Sequence, residues 1–169
     1  MNDFDHICMR RCIALSQESI DAGDAPFGTV IAKDGHIIIE AQNDYKTKVS
    51  EHAEIVALNR AHALFGSSDL SGCTLYTNVE PCPMCSFMIR EFKVSRVVFS
   101  LPSPYVGGYT RWPILQDSTM SGLTPYFSTP PEITGGFLEN EAHAVLADTP
   151  LWMFGSDITI TDPPHDTRR

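Results

Sequence analysis

The feature that most constrains this chain is a set of metal-type side chains split between two places. One is His52-Ala53-Glu54, and the other, thirty residues on from His52, is Pro81-Cys82-Pro83-Met84-Cys85. Groups so far apart act together only if the fold brings two helix starts face to face. Cys82 and Cys85 are three residues apart, so at the start of a helix both sulfurs point to one side. A helix N-terminus carries partial positive charge and free N–H groups, which favour thiolates. One neutral imidazole and two thiolates satisfy three positions of a tetrahedral Zn²⁺. Three protein ligands rather than four are the mark of a catalytic site that keeps a position for water. The two thiolates cancel the charge of the ion and so acidify that water less than three histidines would, which makes a nearby proton acceptor important. Glu54 is the candidate. In mid-helix it would face away from His52, but at a helix terminus, where the first residue departs from helical geometry, both can converge on the metal.

Each fragment alone has a plainer reading. A C-x-x-C between a strand and a helix equally describes a thioredoxin-like redox pair, and an H-x-E occurs by chance in many proteins. Together, in a strand–loop–helix context, they point to catalytic zinc. Cys8, Cys12 and Cys73 sit inside apolar patterns and read as core packing. An odd total of five cysteines without a secretory signal argues against a disulfide framework.

The elements around these motifs are legible. An amphipathic helix is expected over 4–22, with Phe4, Cys8, Cys12 and Leu15 on one stripe. Two β-rich runs, 28–33 and 36–40, are joined by Asp34-Gly35, a pair that tolerates the positive φ angles of a type I′ turn. A helix follows at 52–65 with Ile55, Leu58, His62 and Phe65 on one face; His62 there reads as a core or capping residue. Next come a buried strand at 73–79, a helix at 83–92 and a strand at 96–100. The order implies a sheet that begins antiparallel and continues through βαβ crossovers, with helices on both faces. Residues 101–131 form a Pro/Gly/Tyr-rich stretch long enough to suggest a lid or binding segment. A last helix is expected at 137–148, and Ile158-Thr-Ile160 is a candidate short strand in an Asp/Thr/Pro-rich tail.

At 169 residues the length prior is one domain. Nothing approaches the roughly 18 consecutive apolar residues of a membrane span, and the start of the chain shows no apolar leader, which reads as cytoplasmic. The net charge of −9, with basic residues only single or paired, argues against nucleic acid as a partner. A small uncharged substrate suits such a surface better.

H-A-E followed by P-C-x-x-C resembles the cytidine deaminase-like zinc deaminases. The likeness extends through Ala25-Pro26-Phe27-Gly28, Ala41-Gln42-Asn43, Glu80–Cys85 and Glu132–Leu138, and is similar to the guanine deaminase and tRNA adenosine deaminase branch. It implies an α/β fold, a three-layer α/β/α sandwich around a central mixed five-stranded sheet, with one zinc-dependent deaminase domain over 1–154 and a tail over 155–169. It further implies one Zn²⁺ per chain on His52, Cys82 and Cys85, with Glu54 as the proton shuttle. Asn43 matches the position whose amide holds the base edge; from the residues alone it is also a turn residue closing a strand. Ala53 and Cys82 are expected to offer backbone contacts. Phe27 either stacks on the base or belongs to the core. Glu80 is expected to buttress the zinc loop. Tyr109, Trp112 and Asp117 are candidates for lining the pocket, and Trp152 and Phe154 for closing it from a partner subunit of a homodimer. Guanine is the first choice of substrate. Cytosine, a triazine or a modified purine are alternatives, as are a tRNA adenosine deaminase and a non-catalytic zinc-stabilised binding subunit.

Overall fold

A computed structural model of the chain describes residues 1–147 and residue 149. The tail over 155–169, its candidate strand at 158–160, and Trp152 and Phe154 lie outside the described residues. Helix α1 (Asp3–Asp21) opens with a reciprocal capping box between Asn2 and Asp5. Strands β1 (Gly28–Lys33) and β2 (His36–Gln42) pair antiparallel. The turn between them has Asp34 at φ 49° and Gly35 at φ 76°, both positive as a type I′ turn requires. Helix α2 (Ala53–Phe65), strand β3 (Thr74–Val79), helix α3 (Pro83–Glu91) and strand β4 (Arg96–Leu101) follow.

The sheet has five strands in the order β2-β1-β3-β4-β5, antiparallel from β2 to β3 and parallel from β3 to β5. The fifth strand, β5, is the short Glu132–Thr134 at the end of the long loop. Period-two alternation sends neighbouring residues to opposite faces. Val30, Tyr76 and Val98 pack with Cys8, Cys12 and Leu15 of α1 and with Ala142 and Leu146 of α4 (Glu139–Leu146). Ile31, Leu75 and Val97 pack instead with Leu58 of α2 and Ile89 of α3. The result is three layers, α1 and α4 on one face and α2 and α3 on the other. The expected α/β/α sandwich with a mixed five-stranded sheet is observed. Among the described residues no helix is long and apolar enough to cross a membrane.

The expected face of α2 is observed at Ile55 and Leu58 but not beyond them. His62 and Phe65 are exposed, and the buried residues are Ala53, Glu54, Ile55, Ala57, Leu58 and Ala61. Small alanines let α2 approach the sheet closely. Glu54 is buried among them in the first turn.

Beneath α1 a buried ion pair ties the layers together. The Asp5 carboxylate accepts hydrogen bonds from the Tyr76 hydroxyl at 2.7 Å, Arg96 Nη1 at 2.7 Å and the Asn2 backbone N–H at 2.8 Å. Burial pushes its pKa up, but the Arg96, Asn2 and Tyr76 hydrogen bonds outweigh that and hold it at about 2. A depressed carboxylate stabilises the fold above its unfolded pKa of about 3.9, and that contribution is lost as pH falls through the folded value. Urea melts are therefore expected to show about 2.5 kcal/mol lost progressively between pH ~5 and ~1. Asp5→Asn should lower stability at neutral pH and flatten this acid limb. An unchanged limb would remove Asp5 as its cause.

Candidate functional site

The site is built on the starts of two helices. His52 is the N-cap of α2 and Cys82 the N-cap of α3, both in extended backbone geometry, and neither side chain is used to cap its helix. Both are therefore free for other work. Cys85, one turn into α3, lies on that helix's buried stripe with Ser86, Ile89 and Arg90. Residues remote in sequence meet here because β3 delivers α3 beside the start of α2.

The Nδ1 of His52 lies 3.6 Å from Cys82 Sγ and 3.5 Å from Cys85 Sγ, and the two sulfurs are 3.6 Å apart. Zinc bonds of ~2.3 Å to sulfur and ~2.05 Å to nitrogen, at the tetrahedral angle, put ligands about 3.8 Å (S to S) and about 3.5 Å (S to N) apart. The triangle fits zinc in both donor type and spacing, and three donors leave one position open. Hydrogen bonding from the Cys85 thiol holds Cys82 down at about 4, against its burial and with help from His52. The same bond pushes Cys85 up, and burial adds to that. The bond to Cys82 outweighs burial and raises His52.

Glu54 is buried beside them. Its Oε2 accepts from the Cys85 thiol at 3.4 Å and its Oε1 from the Thr77 hydroxyl at 3.4 Å. Burial raises its pKa, and the Cys82 charge raises it further.

These groups open onto a cavity of about 500 Å³, whose lining includes His52, Glu54, Cys82, Asn43 and Phe27. That lies within the size range of small-molecule pockets. Asn43, 4% exposed, follows β2 and donates its Nδ2 to Asp24 Oδ1 at 2.8 Å. Phe27 lines the cavity and packs against the core below it. Ala53 is buried in the first turn of α2 and its side chain is not in the lining.

Trp112 and Asp117 lie in a shallow groove with Pro83 and Ile114, separate from this cavity. The Asp117 carboxylate caps the short 3-10 turn Ser118–Gly122 by accepting from Thr119 N and Oγ1. Trp112 sits at the surface under the Arg111 guanidinium. Tyr109 packs edge-on to Phe99 in the core and is absent from the lining.

Glu80 holds the loop above the ligand triangle. Its carboxylate accepts from the backbone N–H groups of Ser103, Tyr109 and Thr110 and from the Thr110 hydroxyl. A Cβ at Gly107 would overlap that carboxylate, and one at Gly108 would overlap Ser86. The Gly-Gly pair is what lets the loop lie this close, and Val106, just before it, reaches the cavity. Sequence reasoning missed Asp24, Tyr45, Lys46 and Val106 in the lining. The only prior signal for Asp24 was an acidic residue in the Gly-Asp-Ala-Pro turn after α1.

The model of the cytidine and deoxycytidylate deaminase zinc-binding region matches residues 2–101. This chain belongs to that deaminase family. It is 45% identical to the guanine deaminase of Bacillus subtilis over 80 residues, 46% of this chain and 51% of that protein. That match therefore spans about half the length of the relative. Against the tRNA-specific adenosine deaminase of the same organism it is 31% identical over 146 residues, 85% of this chain and 86% of that one. The solved structure of guanine deaminase from Nitrosomonas europaea superposes with a TM-score of 0.66 at 26% identity, covering 82% of this chain and 80% of that chain.

Proposed function

We propose that this deaminase hydrolyses the amino group from a free nucleobase, guanine first, with Glu54 moving the protons. The observation that carries the reading is a buried carboxylate set against a His/Cys/Cys triangle at the base of a cavity. A zinc ion held by His52, Cys82 and Cys85 supplies Lewis acidity, which makes water a usable nucleophile near neutral pH. Glu54 accepts a proton from that water and gives it to the ring nitrogen beside the amino-bearing carbon. The water oxygen bonds to that carbon, the C–N bond then breaks, and Glu54 passes the remaining proton to the departing ammonia. Burial serves this role, since a carboxyl raised from its usual value both takes and returns a proton more readily near pH 7. In this reading Phe27 holds the ring by its face and Asn43 by its edge; both line the cavity.

Guanine is favoured by the more similar curated relative and by the N. europaea structure, and a neutral base suits a chain of net charge −9. A second reading, adenosine in tRNA, has one specific support: the tRNA-specific relative matches over most of both chains. The charge opposes it.

The test measures ammonia release from guanine, cytosine and adenine, and inosine formation in an anticodon stem–loop RNA, on protein whose zinc content has been determined. One zinc per chain and fastest turnover of guanine are expected. Turnover confined to the RNA would overturn the substrate. A zinc content near zero, with Cys82 and Cys85 joined in a disulfide, would overturn the chemistry.

A further inference from the structure

Two threonines lie directly opposite each other in the sheet, Thr29 on β1 and Thr77 on β3, both 0% exposed. Ile31 and Leu75, two residues along the same strands, pack with Leu58 of α2 and Ile89 of α3. Period-two alternation therefore turns both threonines toward those helices. A buried hydroxyl is costly unless it finds a partner. Thr77 Oγ1 donates to Glu54 Oε1 at 3.4 Å, whereas Thr29 Oγ1 has no partner among the described residues. Glu54 has three rotatable side-chain bonds, and burial alone does not select where its carboxylate points. Among the described residues two side chains donate to it, Thr77 on Oε1 and the Cys85 thiol on Oε2, each at 3.4 Å. Cys85 is one vertex of the ligand triangle, so Oε2 faces the triangle while Oε1 is turned to the sheet. A cysteine that holds zinc does so as the thiolate and has no proton to donate. The Thr77 hydroxyl is then the donor that remains. Thr77 belongs neither to the triangle nor to the cavity lining, so any part it plays passes through Glu54.

We propose that Thr77 is a positioning residue for the proton shuttle: its hydroxyl pins Oε1 of Glu54 to β3 and leaves Oε2 to face the metal triangle and the substrate. The inference rests on the reading of Glu54 as the shuttle and deepens it. A pinned carboxylate meets the attacking water and the ring nitrogen with one oxygen and from one direction, so no search among rotamers separates the two transfers. Without the pin the carboxylate spends less time in line and kcat falls. Binding of the ring, which other residues supply, is left alone.

The two threonines test this together, because Thr→Val is the same chemical change at both. Thr77→Val is expected to lower kcat on guanine about tenfold, with KM within about twofold and zinc content unchanged. Thr77→Ser, which restores the hydroxyl, should recover most of the loss. Thr29→Val is expected to leave both constants as they are and to melt no lower than the parent protein, since the hydroxyl it removes holds nothing. Equal losses of kcat from the two valines, a loss that tracks zinc content, or a serine variant no better than the valine would each overturn the proposal. A second readout needs no substrate. In the proton NMR spectrum of the zinc-loaded chain, the Thr77 hydroxyl proton, assigned by its loss in Thr77→Val, is expected to be protected from exchange and to move when Glu54→Gln changes its acceptor. A freely exchanging hydroxyl there would overturn the pin. Guanine left unhydrolysed while that proton is protected and answers to Glu54→Gln would instead sink the guanine reading and leave the pin standing.

Discussion

Glu54→Gln is expected to lower kcat by about 10²–10⁴-fold with zinc content and melting temperature nearly unchanged. The amide fills the same volume and can still meet the Thr77 hydroxyl, but it neither accepts a proton nor hands one back. Glu54 lies on the buried stripe of α2 with Ala57, Leu58 and Ala61, so a neutral isostere leaves helix packing intact. It even relieves the burial of a charge. The effect should fall on kcat more than on KM, because the lost interaction is made in the transition state. The other acids in the lining are poor substitutes. Glu80 already accepts from three backbone N–H groups and a hydroxyl, and Asp24 from three donors. Steady-state kinetics beside metal analysis would check the prediction, and a variant of near-normal turnover would show that the proton moves by another route.

Much of the fold was legible because its signals are local. Asp34-Gly35 demands its turn through φ angles, and the helix starts follow from chain chemistry around His52 and Pro83. What was not legible depended on tertiary packing. On α2, Ile55 and Leu58 are buried as their apolar character implies, but His62 and Phe65 on the same expected face are exposed, because close approach to the sheet selects the alanines at 57 and 61. Strand β5 is only three residues long, too short for any alternation to register, and it is fixed by pairing with Arg96–Val98.

The ligand triangle was readable because metal chemistry restricts residue type and spacing together. The pocket wall was not. Trp112 and Asp117 attracted attention as an aromatic and an acid in an unusual loop, yet the first is a surface residue and the second a cap. Asp24 carried no motif. Its carboxylate lines the cavity and accepts from Asn43, nineteen residues away, and such a pairing is invisible until the C-terminal turn of α1 is seen beside the end of β2.

Arg90→Met is expected to destabilise the chain by about 3–5 kcal/mol, or roughly 10 °C in melting temperature for a domain of this size. Arg90 is 1% exposed at the end of α3. Among the described residues it forms no ion pair; it spends its charge on backbone carbonyls instead. Nη1 donates to Ile114 O at 2.9 Å and Asp117 O at 2.8 Å, and Nη2 to Ser128 O at 3.2 Å. These bonds gather the two ends of the 114–128 segment onto one helix, which explains how so long a loop holds its shape with only one 3-10 turn inside it. Methionine has comparable length and packs well, so the cost isolates the stranded carbonyls rather than a cavity. Lysine keeps the charge but offers a single point of donation and cannot span the fork, so Arg90→Lys should recover only part of the loss. Because the same stretch between β4 and β5 contributes Val106 to the cavity, loosening it should also raise KM more than it lowers kcat. Thermal melts, limited proteolysis within 101–131 and the KM of the best substrate would together check this. A variant that melts with the parent protein would mean that the carbonyls find water instead, and that the loop does not depend on Arg90.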